Sequence, residues 1–294
     1  MDVGSVGIWT AQLDLQPAAR AREVAAELDE LGYGALWVPE AVGREALTHA
    51  AVLLGATRRI VVATGVANIY NRTPAATALA QRLLADDSGG RFLLGLGVSH
   101  GPMVEGMLGQ RWEKPYSRMV EYLDALDGAF TVSPAPAKEP PRVLAALGPR
   151  MLELAGRRAW GALTYFVPVE HTPVARRHLG DGPMLMVEQA AVLTTDPEVA
   201  RDAARKHMQV YLTLPNYVSN LRRLGWGDDD LADGGSDALV DALVAWGDVD
   251  AIAARVAEHR EAGADHVCVQ VLDTDVSALP LEQWRELAPA LLDG

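Results

Sequence analysis

His100 is the first residue to weigh as a proton carrier. It follows an apolar run, residues 91–97, that ends Gly95-Leu96-Gly97, with Val98 and Ser99 between. A continuous apolar run of this length suits a strand buried on both faces. Glycines past its end let a ligand approach the backbone, so Gly97 and Ser99 are where that approach is expected. An imidazole there can give or take a proton near neutral pH; otherwise it is a solvated loop histidine after a plain turn. Glu40 closes a second apolar run as Pro39-Glu40. Partial desolvation there would favour its protonated form, and the competing reading is a structural ion pair with Arg72. Gly148-Pro149 opens a helical stretch, where free N–H groups attract an anion such as phosphate, or it is an ordinary turn. Trp9 offers a flat face to a ring, or fills core.

Other chemistries find no pattern. No pair of histidines stands at helical spacing with a carboxylate, and Cys268 is the one cysteine, so no metal-ligand motif is present. Cys268 lies in Val267-Cys-Val-Gln-Val271 and reads as a small core hydrophobe. No Gly-x-Ser-x-Gly elbow occurs, and Ser99 beside His100 cannot form a triad with its own neighbour. Asp228-Asp229-Asp230 reads as an exposed acidic helix start rather than a cation site.

The elements that must position these groups alternate. Strands are expected at 3–9, 35–38, 60–66, 91–97, 142–146, 161–167, 185–193 and 266–272. Helical stretches lie between them, with Thr73, Asp196 and Asp248 as caps and Gly32 as a stop. Residues 212–247 are the least regular part, and short helices are expected there. Eight parallel strands with crossover helices close into an α/β (β/α)8 TIM barrel, read as one domain over 1–294. An open doubly wound sheet is the alternative, but no Gly-x-Gly-x-x-Gly opens the first helix. In such a barrel function sits at the carboxyl ends of the strands. Those ends carry Trp9, Glu40, the stretch from Gly65 to Asn68, His100, Ala146, Gly148, Thr164 and Tyr165.

The chain has 294 residues and a net charge of −13 from 39 acidic and 26 basic residues. This balance argues against nucleic acid or an anionic membrane as a partner. No apolar stretch reaches membrane-spanning length, and the start lacks the marks of a secretory signal. A lone cysteine fits a reducing cytoplasm, and a homodimer is the common default.

Four motifs share a family likeness: Gly32-Tyr-Gly-Ala-Leu-Trp-Val-Pro-Glu40, Thr64-Gly-Val-Ala-Asn-Ile-Tyr-Asn-Arg-Thr-Pro74, Ser88-Gly-Gly-Arg-Phe-Leu-Leu-Gly-Leu-Gly-Val-Ser-His-Gly-Pro102 and Ala145-Ala-Leu-Gly-Pro-Arg-Met-Leu-Glu-Leu-Ala-Gly156. Together, at these spacings and in this order, they resemble the bacterial luciferase-like superfamily of flavin- and deazaflavin-dependent oxidoreductases. Within it, the chain looks like the actinobacterial coenzyme F420-dependent group. The resemblance implies a TIM barrel with an isoalloxazine-like ring at its mouth. It implies a non-prolyl cis peptide at Gly65–Val66 behind the ring, and cofactor phosphate near Ala146, Gly148 and Thr164. Some relatives carry Asp-His where this chain has Pro39-Glu40, and a glutamate near the position of His100, so proton-transfer roles do not carry over.

The expected function is hydride transfer between F420 and a small organic substrate. His100 would be the proton donor or acceptor, and Glu40 a polarising partner. Trp9, Gly65, Val66, Asn68, Gly97, Ser99, Ala146, Gly148 and Thr164 would surround the cofactor. Alternatives are an FMN-dependent monooxygenase and a non-catalytic protein that binds a flavin or another apolar ligand.

Overall fold

Short apolar strands separated by amphipathic helices have one stable arrangement when every strand is buried on both faces: a closed sheet ringed by helices. The computed structural model, which describes residues 1–292, adopts it. The strands are β1 (Val6–Trp9), β2 (Ala35–Val38), β3 (Val61–Thr64), β4 (Ala67–Asn68), β5 (Phe92–Gly97), β6 (Arg142–Ala145), β7 (Gly161–Thr164), β8 (Met184–Leu193), β9 (Val244–Gly247) and β10 (His266–Val271). All pairings are parallel. The path β1-β2-β3-β5-β6-β7-β8-β10 returns to β1 and closes an eight-stranded (β/α)8 barrel.

Each of the eight expected strands is present, most of them trimmed at the ends. Two trims matter. The strand expected over 60–66 stops at Thr64; a cis peptide at Gly65–Val66 follows, and the chain resumes as β4 beside β5. The strand expected to reach residue 167 stops at Thr164, because Phe166 takes a left-handed φ of 57°. One strand was unexpected. Residues 212–247 do hold short helices, Pro215–Arg223, Asp228–Leu231 and Asp237–Leu243, but they end in β9. That strand pairs with Ala190–Leu193, the far half of β8, beyond the stretch that β7 covers.

Alternation along the strands splits the core into two shells. Trp37, Ala63, Leu93, Val143, Leu163, Met186 and Cys268 pack inside the barrel, while Ile8, Leu36, Val62, Leu94, Leu144, Val187 and Val269 face the helices. Cys268 is fully buried, as expected of a core hydrophobe. Polar side chains fix the strand entries. The Asp29 carboxylate accepts the N–H groups of Arg58, Arg59 and Ile60 before β3, and the Arg91 guanidinium donates to the carbonyls of Leu54, Thr57 and Ile60 before β5. Helix starts use the expected caps, Thr73, Asp196 and Asp248, and Gly32 ends the first long helix at a φ of 96°. Among the described residues no helix is long and apolar enough to cross a membrane, and no cluster of His, Cys, Asp and Glu could hold a metal.

Two inward positions of β5 carry no side chain for a steric reason. A Cβ on Gly95 would lie 2.0 Å from the Thr64 carbonyl oxygen, and one on Gly97 would lie 2.5 Å from Val66 Cγ2. The Thr64 hydroxyl completes the contact, accepting from the Gly95 N–H at 2.8 Å and donating to its carbonyl at 2.7 Å. Backbone cannot yield as a flexible side chain can. Gly95→Ala should therefore lower stability by about 1–3 kcal/mol, the usual cost of overpacking. Thermal or urea unfolding checks this, and a variant as stable as the native chain would mean the seat is loose.

Candidate active site at the barrel mouth

Parallel barrels fill their interior with layers of side chains drawn from alternate strands. Followed around the barrel, the pairing registers put Trp9, Gly65, Ala145 and Glu188 in one layer. Gly97, Tyr165 and Gln270 lie in the next layer toward the mouth. Gly65, Val66, Ala145 and Tyr165 remain partly exposed, so the upper layers are open to the rim. The Trp9 indole donates to the Gly65 carbonyl at 2.9 Å, and its ring lies 5.2 Å from that of Tyr165.

His100 stands on the rim, at the start of the short helix Gly101–Gly106, after Ser99 takes a left-handed φ of 53°. Its ring centroid is 5.5 Å from Tyr217. Burial lowers the imidazole's pKa, and the Asn216 side chain opposes that in part. The histidine is thus favoured in its neutral form. Tyr217 comes from the helix Pro215–Arg223 and joins Tyr165, Phe166 and Tyr211 in a continuous aromatic group. The Tyr165 hydroxyl donates to Gln270 Oε1 at 2.8 Å and meets the Tyr211 hydroxyl at 2.9 Å. Burial pushes the Tyr211 phenol up to about 12 and the His207 imidazole down to about 4.

Glu188 is the residue that sequence reasoning missed. It is 2% exposed on β8, pointing into the barrel. Its Oε2 accepts the Phe166 N–H at 3.1 Å, and its Oε1 has no hydrogen-bond partner. Burial pushes this carboxyl up to about 8, the Phe166 N–H opposing. A signal was available: Glu188-Gln189 is a polar pair inside an otherwise apolar strand, and a buried polar group needs a partner or a purpose.

The expected site residues divide. Trp9, Gly65, Val66, Gly97 and His100 gather at the mouth, linked through Tyr165 and Tyr217. Gly97 owes its bareness to Val66. Gly148 caps the helix Pro149–Arg158, and a Cβ on it would lie 3.6 Å from the Arg223 guanidinium, so a cation stands beside that helix start. Ala146 is buried next to it. Two side chains turn into the wall. Thr164 is fully buried with its hydroxyl on the Met186 carbonyl, and Asn68 bonds the Tyr70 N–H.

Glu40 does not face the mouth as a free carboxylate. It pairs with Arg72 and accepts the N–H groups of Asn68 at 2.7 Å and Ala46 at 3.2 Å, with its side chain 3% exposed. The ion pair with Arg72 is the arrangement present, and Glu45 adds a second carboxylate on that guanidinium at 2.6 Å.

Comparison with known proteins bears on what such a mouth holds. The family described as luciferase-like monooxygenase matches residues 3–266. A Mycobacterium tuberculosis protein provisionally named a coenzyme F420-dependent oxidoreductase is 28% identical, the match covering 96% of each chain. The solved structure of a coenzyme F420-dependent tetrahydromethanopterin reductase from Methanopyrus kandleri superposes with a TM-score of 0.78 at 17% identity, covering 99% of both chains. The FMN-bound oxygenating constituent of 3,6-diketocamphane monooxygenase from Pseudomonas putida superposes with a TM-score of 0.71 at 15% identity, covering 98% of both. At these identities the structural likenesses speak to the barrel alone.

Removing one partner from a buried ion pair leaves the other charge uncompensated. Glu40→Ala should cost about 3 kcal/mol, the lower end of that class because Glu45 still faces Arg72. Urea unfolding reads it, and a loss below about 1 kcal/mol, as for exposed pairs, would show that Glu45 suffices.

Proposed function

The chain belongs to the luciferase-like monooxygenase family, and from that premise we propose that it is an oxidoreductase moving a hydride between coenzyme F420 and a small organic substrate. The observation that carries the reading is the rim itself. His100, held neutral by burial, stands one aromatic contact from the Trp9–Tyr165 wall that frames the mouth. The relative at 28% identity supports F420 as the cofactor.

The residues present fit such a group. Trp9, Val66 and Tyr165 offer a flat apolar wall to a ring, and Gly148 with Arg223 suits an anionic tail. When bound, the deazaflavin supplies or accepts the hydride. The chain's own side chains do the rest. The aromatic rings exclude water and orient the substrate, and His100 exchanges the proton that accompanies the hydride. Glu40 acts as a positioning residue, fixing Asn68 and Arg72 so that the turn at Gly65–Val66 keeps its place.

Equilibrium titration with F420 and with FMN, followed by fluorescence, tests the cofactor. F420 should bind more tightly. Tighter FMN binding with oxygen-dependent turnover would move the assignment to a monooxygenase. Tight cofactor binding with no hydride transfer to any carbonyl or alcohol substrate would point to a binding protein. His100→Ala should cut turnover by about 10²–10⁴-fold with cofactor affinity nearly unchanged. Because burial lowers its pKa, the acid limb of the native pH profile should fall below 6.5, the ordinary histidine value. Unchanged turnover in the variant would remove His100 from the mechanism.

A further inference from the structure

A second proton-bearing group lies deeper in the same mouth. Glu188 shares its interior layer with Trp9, Gly65 and Ala145, and by alternation it faces Gly65 across the barrel. One carboxyl oxygen is held by the Phe166 N–H and the other has no partner. The groups around it are Cys268 on β10, Tyr165 just after β7, Tyr211 on the helix Pro197–Tyr211, whose ring packs against that of His207, and Tyr217 on the helix Pro215–Arg223. None is a cation. An ionised carboxylate in that setting would be desolvated without compensation, whereas a neutral acid has one hydroxyl left to donate.

We propose that Glu188 is a further catalytic residue, a neutral carboxylic acid that hydrogen-bonds a carbonyl oxygen of the substrate and protonates it as the adjacent carbon takes hydride. The inference rests on the hydride-transfer reading and names the substrate class as neutral carbonyl compounds, or the matching alcohols in reverse. In the forward direction the carbonyl π bond breaks and a C–H bond forms from the cofactor's hydride. The oxygen takes the carboxyl proton, the cofactor is oxidised, and the Glu188 carboxylate recovers a proton from water. The two mouth groups then divide the work. Burial holds the acid protonated and the histidine neutral, so Glu188 gives the proton in reduction and its carboxylate takes it back in oxidation, while His100 exchanges that proton with water at the rim.

Glu188→Gln separates this role from a structural one, because the amide keeps a donor of the same shape but has no proton to lose. In the native protein without cofactor, infrared difference spectra against the variant should show the carbonyl stretch of a protonated carboxyl at pH 7. Melting should agree. Below 4.5, the ordinary glutamate value, folded and unfolded states both hold the proton. Between 4.5 and about 8 only the folded state holds it, so the native chain should lose stability relative to the variant as pH rises through that window. With reduced F420 and a set of neutral ketones and aldehydes, the variant should turn over about 10²–10³-fold more slowly. Cofactor affinity should be unchanged, and the fall of native activity above about pH 8 should be absent from its profile.

A missing infrared band at pH 7, or native turnover in the variant, overturns the proposal. If the native chain binds neither F420 nor FMN, the hydride-transfer reading fails and the catalytic role falls with it; the band then reports only whether Glu188 is a buried acid.

Discussion

Val66 can stand inside the barrel only because the neighbouring strand presents bare backbone to it. Gly95 and Gly97 leave the space that its two methyl groups fill: a Cβ on Gly95 would crowd Cγ1 at 3.1 Å, and one on Gly97 would overlap Cγ2 at 2.5 Å. The same turn is tied from two other directions. The Trp9 indole holds the Gly65 carbonyl from inside, and the Glu40 carboxylate holds the Asn68 N–H from behind while pairing with Arg72. Packing, a side-chain hydrogen bond and a buried ion pair thus converge on four consecutive residues. The floor of the mouth is shaped by contacts that each exclude an alternative placement, as a site must be when its residues have to meet a flat ligand.

Charge is kept out of the aromatic part of that mouth. The chain carries a net −13, yet the aromatic group from Trp9 to Tyr217 includes no arginine or lysine, and its ionisable members are all shifted toward neutrality. The physical cause is shared: desolvation penalises whichever form is charged, raising the acid and the phenols and lowering the imidazoles. Glu40, only a strand end away, shows the contrast. It has Arg72 and two backbone donors, so the carboxylate buried there is paired rather than left without a cation. Two glutamates of one barrel differ in kind because their partners differ.

Much of this could be read from the residues alone. The eight barrel strands, the helix caps and the gathering of Trp9, Gly65, Val66, Gly97 and His100 follow from apolar runs, turn residues and the rule that barrel sites lie at strand ends. What escaped has identifiable causes. β9 follows the helix Asp237–Leu243 without a turn residue between them, so Leu243-Val-Ala-Trp246 reads as a continuation of helical periodicity. Thr164 was placed correctly at a strand end, but its inward or outward direction depends on register, and a shift of one residue reverses it. Glu188 was hidden by its strand. An apolar run with one acid looks like a tolerated exception until the layer to which the acid belongs is known. Tyr211 and Tyr217 lie more than a hundred residues from His100 in sequence, and only the fold brings them to it.

That last separation bears on how the site is built. The wall that suits a ring comes from β1, the turn after β3, β5 and β7. The rings that close over Glu188 come from the segment between β8 and β10. β9 fastens this segment by pairing with Ala190–Leu193, the residues that directly follow Glu188-Gln189. Gln189 adds to the same anchor, donating to the Leu243 carbonyl at 3.0 Å just before β9 and accepting from the buried His259 ring at 2.8 Å. The strand that carries the acid is therefore also the strand that sets the height of its aromatic cover. A change in that segment would alter what reaches Glu188 without disturbing the seat of Val66, because the two are supported by opposite sides of the barrel.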